Sequence, residues 1–310
     1  MRNKITVIDA RSEQIKTPVK SPIKTNWKVE VIKKGLGTLQ YISPLKTPEI
    51  IWHYFTRPAR SRFTDSQRAL IDQARITYSS YRGHQLVNYT WGEKGPKVLL
   101  GHGWQSKVAD FRKMITVLVK QGYVVEGIDM KAHGRSEGKH TALPEFRDIL
   151  KDYYVRQGPY HAIIGYSMGG LAAALVLSEI SSTLHPDHLV LLATPPYAKY
   201  FFESTVRQLG YNDAVLNEMC ALVEKKYGQE LDYFNLSDKA HLLQKISIQL
   251  IYDEHDLMVP FEKAEQMRGL FPNANFVHGK GLGHNKILSY PEIISQVMSH
   301  IGPKKLEIVD

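Results

Sequence analysis

Gly165-Tyr166-Ser167-Met168-Gly169 constrains this chain more than any other stretch. It follows the apolar run Tyr160-His161-Ala162-Ile163-Ile164 and precedes Gly170-Leu171-Ala172-Ala173-Ala174-Leu175-Val176-Leu177. The pattern is that of a strand turning sharply into a helix. Such a turn needs residues without bulk on either side, because the residue at its apex is held in a strained conformation and crowds its neighbours. Ser167 would stand at that apex with its hydroxyl in solvent. The five residues alone also fit a flexible linker; the strand before them and the helix after them favour the turn.

From residue 97 onward strands and helices alternate. Strand patterns cover 97–100, 124–128, 161–166, 188–193, 246–251 and 275–277, and helical spacing covers 107–121, 143–156, 168–181 and 291–300. Before them, Thr64-Asp65-Ser66-Gln67 has the form of a capping box, and residues 76–78 and 86–91 flank Arg82-Gly83-His84 as a hairpin. This alternation predicts an α/β fold whose mostly parallel central sheet carries helices on both faces. Residues 197–244 break the pattern: they read as helices with no strand, a helical cap, or lid, over the strand ends. Of its aromatics, Tyr197, Tyr200 and Phe201 are candidates to line an apolar substrate pocket, although aromatics at helical spacing are more often plain packing. The organisation expected is a basic extension at 1–60, a core at 61–196 and 245–310, and the helical cap at 197–244.

The net charge of +9 is concentrated at the start: residues 1–60 hold 12 Lys and Arg against 4 Asp and Glu. Lys16, Lys20, Lys24 and Lys28 recur every four residues, but Pro18 and Pro22 forbid an ordinary helix, so the stretch reads as an extended or mobile arm. Base-stacking aromatics are nearly absent there apart from Trp27, so no nucleic-acid partner is expected. Neither a signal-peptide pattern nor an apolar run of membrane-spanning length occurs, and the expectation is a cytoplasmic protein without stable membrane insertion. Cys220 is the sole cysteine, which excludes an intrachain disulfide; it sits in a helix-like stretch and reads as packing. No His pair at i, i+4 with a carboxylate suggests zinc, and no cofactor is called for.

A serine hydroxyl needs a base within hydrogen-bond reach and a third group to orient that base. The strand at 246–251 runs into Asp253-Glu254-His255-Asp256-Leu257-Met258-Val259-Pro260, and the next strand into Gly279-Lys280-Gly281-Leu282-Gly283-His284. In a parallel sheet these loops leave the same carboxyl edge as Ser167, so residues distant in sequence can meet there.

The order Ser, Asp, His behind a strand-turn-helix elbow resembles the α/β-hydrolase superfamily over about residues 86–300. Gly101-His102-Gly103-Trp104 is similar to the family's oxyanion loop. Asp129-Met130-Lys131-Ala132-His133-Gly134-Arg135-Ser136 is similar to its Asp-x-x-Gly-His-Gly-x-Ser turn, with Ala132 where glycine is usual. The stretch Tyr54-Phe55-Thr56-Arg57-Pro58-Ala59-Arg60 is loosely similar to the lead-in of bacterial members without an assigned substrate. The resemblance implies Ser167 as nucleophile, His284 as base rather than His278, and Asp256 as orienting acid, with Asp253 and Glu254 as the other candidates. It also implies the backbone N–H groups of Trp104 and Met168 as oxyanion donors. His102 and His133 read as loop-holding residues. The implied activity is hydrolysis of a carboxylic ester or thioester of a small to medium apolar acyl group, by way of an acyl-enzyme. An acyltransferase using the same residues and a non-catalytic ligand-binding homologue are the competing readings, and oligomeric state is left open.

Overall fold

The computed structural model describes residues 5–11 and 47–302. Nine strands form one sheet: β1 (Ile5–Asp9), β2 (Arg75–Tyr81), β3 (His84–Trp91), β4 (Lys97–Gly101), β5 (Val124–Asp129), β6 (Ala162–Tyr166), β7 (His188–Leu192), β8 (Ser247–Asp253) and β9 (Asn275–Lys280). Their spatial order is β1-β9-β8-β7-β6-β4-β5-β3-β2. β3 runs antiparallel to both of its neighbours, and every other pairing is parallel. The mostly parallel sheet expected from the alternation is therefore present.

Side chains alternate between faces along each strand, and both faces are covered. Leu99, Ile163, Leu189 and Leu191 enter one core, shared with helices α4 (Leu143–Gln157) and α5 (Met168–Glu179). Val98, Leu100, Ile164 and Val190 enter the other, shared with α2 (Asp65–Ile71), α3 (Arg112–Lys120) and α10 (Pro291–Ile301). Residues 168–177 of α5 are all buried, which is why that segment is apolar all round while α3 is amphipathic. The capping box before α2 forms: the Gln67 N–H donates to Thr64 Oγ1 at 3.2 Å, and the Thr64 N–H to Gln67 Oε1 at 3.0 Å.

Between β7 and β8 lies a helical insertion, α6 (Lys199–Leu209) and α7 (Asp213–Tyr227), followed by short 3₁₀ turns. Gly210 and Gly228, at φ 72° and 68°, end the two helices in the left-handed conformation that glycine adopts without a Cβ penalty. Two more helices, α8 (Phe261–Leu270) and the short α9 (Gly283–Lys286), follow β8 and β9.

Two parts of the 1–60 stretch, read from its charge as an extension, are built into the body. β1 adds an edge strand parallel to β9, placing Ile5 opposite Phe276; a pairing so remote in sequence leaves no local signature. Helix α1 (Thr47–Phe55) packs on α7, and its Trp52 and Phe55 stack on Phe202 of α6 at ring distances of 6.1 and 4.8 Å. Beyond it, the Arg60 guanidinium donates to the carbonyls of Gly134, Ser136 and Gly138. Lys16, Lys20, Lys24 and Lys28 lie outside the described residues. No helix among the described residues is long and apolar enough to cross a membrane.

Asp253, fully buried at the end of β8, ties the loops after β8 and β9 together. Its carboxylate accepts the N–H groups of His255, Leu282 and Gly283, each at 2.9 Å. In Asp253→Asn one oxygen becomes an amide facing a backbone donor. Leaving a buried donor unpaired costs about 1–3 kcal/mol. The expected result is a urea midpoint lowered by that amount with an unchanged slope.

A buried and a half-buried histidine, both held toward the neutral ring, add a pH dependence. Burial lowers His133 to about 3; burial, followed by the neighbouring His300 and His161, lowers His188 to about 4. Between these values and the unfolded pKa of about 6.5 the unfolded chain binds more protons than the native one, so acid favours unfolding. Thermal midpoints should hold steady above pH 6.5 and fall progressively from there toward pH 4. A flat profile over that window would show that both rings ionise freely in the fold.

Candidate active site

Four adjacent strands, β5, β4, β6 and β7, each release the chain through a residue that L side chains rarely allow. Ala132, Gln105, Ser167 and Ala193 have φ of 65°, 55°, 52° and 47°. Strain of this kind costs about 1–3 kcal/mol per residue and persists only where the surroundings enforce it. Here the enforcement is steric. A Cβ on Gly169 would lie 2.3 Å from the His102 carbonyl oxygen, and one on Gly165 would lie 2.4 Å from the Gly170 Cα. The turn at Ser167 is thus locked between the loop after β4 and the first turn of α5. The Ser167 N–H donates to the Leu192 carbonyl at 2.8 Å, which ties it to β7 as well.

The loops after β8 and β9 bring two further side chains to this turn. His284 Nε2 lies 3.2 Å from Ser167 Oγ, and His284 Nδ1 lies 2.6 Å from Asp256 Oδ2. The other Asp256 oxygen accepts the N–H groups of Met258 and Val259, both at 2.8 Å, which fixes the carboxylate. Ser167 and Asp256 are buried, at 6% and 4% exposure. The Tyr166 ring stands 4.9 Å from the His284 ring, and its hydroxyl donates to Asn285 Oδ1 at 3.0 Å and to the His284 carbonyl at 3.3 Å. Burial holds that phenol well above its usual pKa, so it remains a donor.

The other candidates occupy different places. Asp253 braces loops and makes no bond to His284, while Glu254 pairs with His278 at 3.1 Å, and His278 stacks on Phe261 at 4.4 Å. His102 and His133 hold loops: their Nε2 atoms accept the N–H groups of Met130 at 2.9 Å and Gln105 at 3.0 Å. Both rings are pushed toward the neutral form by burial, as acceptance at Nε2 requires. Asp129 anchors the same region through the Val108 and Arg135 N–H groups and the Tyr89 hydroxyl. Among the described residues, the backbone N–H groups of Trp104 and Met168 have no hydrogen-bond acceptor; for Met168 this follows from its place as the first residue of α5. Cys220, half-buried on α7, packs against the core.

A cavity of about 870 Å³ opens over Ser167 and His284. Tyr200 and Phe201 line it, and the Tyr200 hydroxyl donates to the Met258 carbonyl at 2.5 Å, joining α6 to the loop that carries Asp256. Tyr197 does not reach the cavity; its hydroxyl accepts a hydrogen bond from Lys263 at 2.7 Å. Tyr54 and Phe55, at the end of α1, do line it, and Phe55 stacks on Trp104 at 6.2 Å. Sequence reasoning did not place these two at the site, though the aromatic spacing of Trp52 and Phe55 was the available signal. Behind Trp104 and Met168 lies a narrow apolar recess of about 20 Å³, also lined by Phe55 and Phe201.

Comparison with known proteins agrees with this architecture. The family model described as serine aminopeptidase, S33, matches residues 92–209. The uncharacterized hydrolase YugF of Bacillus subtilis (strain 168) is 24% identical over 242 residues, covering 63% of this chain and 85% of that protein. Among solved structures, an esterase of Pyrococcus furiosus superposes with a TM-score of 0.57 at 21% identity, over 79% of this chain and 97% of its own. The thioesterase domain from the curacin biosynthetic pathway gives 0.52 at 19% identity, over 74% and 98%. At these identities the solved structures speak to fold, while the family model and YugF support a hydrolase. The nine-stranded sheet, its helices on both faces and these matches together show that the chain has the α/β-hydrolase fold.

Proposed function

We propose that the protein is a serine hydrolase that cleaves carboxylic esters or thioesters of small to medium apolar acyl groups through an acyl-enzyme on Ser167. The observation that carries this reading is the continuous relay from Ser167 Oγ to His284 Nε2 at 3.2 Å and from His284 Nδ1 to Asp256 at 2.6 Å. His284 takes the Ser167 proton as Oγ attacks the acyl carbon, and Asp256 fixes the tautomer and stabilises the imidazolium. The oxyanion of the tetrahedral intermediate accepts hydrogen bonds from the Trp104 and Met168 N–H groups. Loss of one such donor typically costs about 10² to 10³ in kcat. Collapse expels the alcohol or thiol with the proton from His284. Water, deprotonated by His284, then releases the acid and restores Ser167.

The helical insertion, together with α1, acts in this reading as a lid over the acyl group. The apolar recess beside Trp104 and Met168 is scarcely larger than the space one water needs. A short acyl tail is therefore the fitting occupant.

With p-nitrophenyl butyrate as substrate, Ser167→Ala should lose on the order of 10⁶ in kcat. Asp256→Asn should lose about 10⁴. Near-full turnover by the serine variant, or failure of a fluorophosphonate probe to label the wild type at Ser167, would refute the reading. Phe201→Ala should open the recess and move the optimum of a p-nitrophenyl ester series to longer chains, each newly buried methylene contributing about 0.8 kcal/mol. An unchanged chain-length profile would show that Phe201 does not bound the acyl site.

A further inference from the structure

The cavity above Ser167 has two unlike walls. Phe55, Trp104, Met168 and Phe201 belong to, or pack against, the core on the face of the sheet that carries the helical insertion. Facing them are Gln67, Ser106, Asp110, Arg112 and Lys113, supplied by α2, by the loop after β4 and by the first turn of α3. The buried sides of those elements, including Leu70, Phe111 and Ile115, belong to the opposite core. Ser167 lies at the sheet edge between the two walls, so an ester bound there has one half against aromatic carbon and the other against this polar surface.

That surface is cationic. Arg112 and Lys113 line the cavity, and neither forms an ion pair with a carboxylate among the described residues. The one acid on the lining, Asp110, is already engaged by Lys107 at 3.3 Å, the Gln67 amide at 2.8 Å and the Ser106 hydroxyl at 2.7 Å. Arg112 and Lys113 begin α3, which continues directly from the 3₁₀ turn Val108–Phe111.

We infer that the leaving group of the substrate carries phosphate, held by Arg112 and Lys113 while the acyl group lies against the aromatic wall. A phosphate monoester carries a charge of about −1.5 to −2 near neutral pH, and its oxygens match the guanidinium fork. The inference rests on the ester or thioester reading above and specifies its substrate class. The same chemistry is offered by a phosphorylated thiol carrier and by a glycerophosphate head group.

Matched substrates separate the two sources. Butyryl-coenzyme A is compared with S-butyryl-pantetheine, and 1-butyrylglycerol 3-phosphate with 1-butyrylglycerol, each by kcat/KM on the full chain. In at least one pair the phosphate-bearing member should be preferred by about tenfold or more at low salt, the size expected of two exposed charge contacts. That ratio should fall toward one in Arg112→Gln/Lys113→Gln, glutamine being a good helix former. It should fall likewise in about 1 M salt, where the screening length shrinks to about 3 Å. Ratios at or below one in both wild-type pairs, or a ratio the double variant leaves unchanged, would overturn the inference. If p-nitrophenyl butyrate is still cleaved in a Ser167-dependent manner, only the phosphate assignment has failed. If no ester is cleaved at all, the hydrolytic reading fails, and calorimetric titration of coenzyme A and glycerol 3-phosphate decides the site. Binding that is absent, or equal in wild type and double variant, would overturn it, and binding weakened about tenfold in the variant would sustain it. Melting curves of the double variant, and the single variant Lys113→Gln at an exposed position, separate loss of recognition from loss of fold.

Discussion

The site depends on backbones that approach more closely than any Cβ would permit. Glycines at 165, 169 and 170 let β6, the loop after β4 and the loop after β7 converge on one turn; a Cβ on Gly170 would lie 2.0 Å from Thr194 Oγ1. This convergence keeps Ser167 at φ 52° and ψ −123°, a conformation that an L residue would otherwise leave. Strain is repeated at Gln105, Ala132 and Ala193, so four neighbouring strand ends share it. Ala132 is the telling case, because this position bears a Cβ and still takes φ 65°. The Asp129 and His133 hydrogen bonds around it fix the turn strongly enough to hold a residue other than glycine there.

Three aspartates at the ends of β5 and β8 then convert loops into fixed positions. Asp129 gathers the Val108 and Arg135 amides, Asp253 gathers His255, Leu282 and Gly283, and Asp256 gathers Met258 and Val259 while facing His284. A buried carboxylate is tolerated only when its oxygens are satisfied, and backbone N–H groups are the donors that a loop has in surplus. The same chemistry thus serves two ends. It supports the loops, and it leaves one carboxylate oxygen of Asp256 directed at the imidazole.

The roof over this floor is assembled from two regions far apart in sequence. Helix α1 and the insertion α6–α7 meet through Trp52, Phe55, Phe202 and Tyr227, and Trp104 of the loop after β4 stacks beneath them. Aromatic contact area therefore couples the edge of the cavity to a helix that precedes the whole sheet core. The opposite wall carries Arg112 and Lys113 beside Asp110, so one side of the cavity is aromatic and the other polar.

Much of this was legible without coordinates. Strand–helix alternation and apolar runs fixed the parallel sheet, because burial on both faces leaves a periodic trace in the residues themselves. The elbow, the Asp256 loop and the His284 loop could be named because chain order and strand ends determine which loops share an edge. The choice of Asp256 over Asp253 followed from a family pattern, and only the folded geometry gives the physical ground for it: one carboxylate turns to the loop amides, the other to the ring. Tertiary structure alone decided that residues 5–9 join the sheet, that Phe55 rather than Tyr197 lines the cavity, and that Arg112 and Lys113 face it. Each of these is a contact between segments whose separation in sequence carries no periodic signal, and its energy exists only once the sheet has brought the segments together.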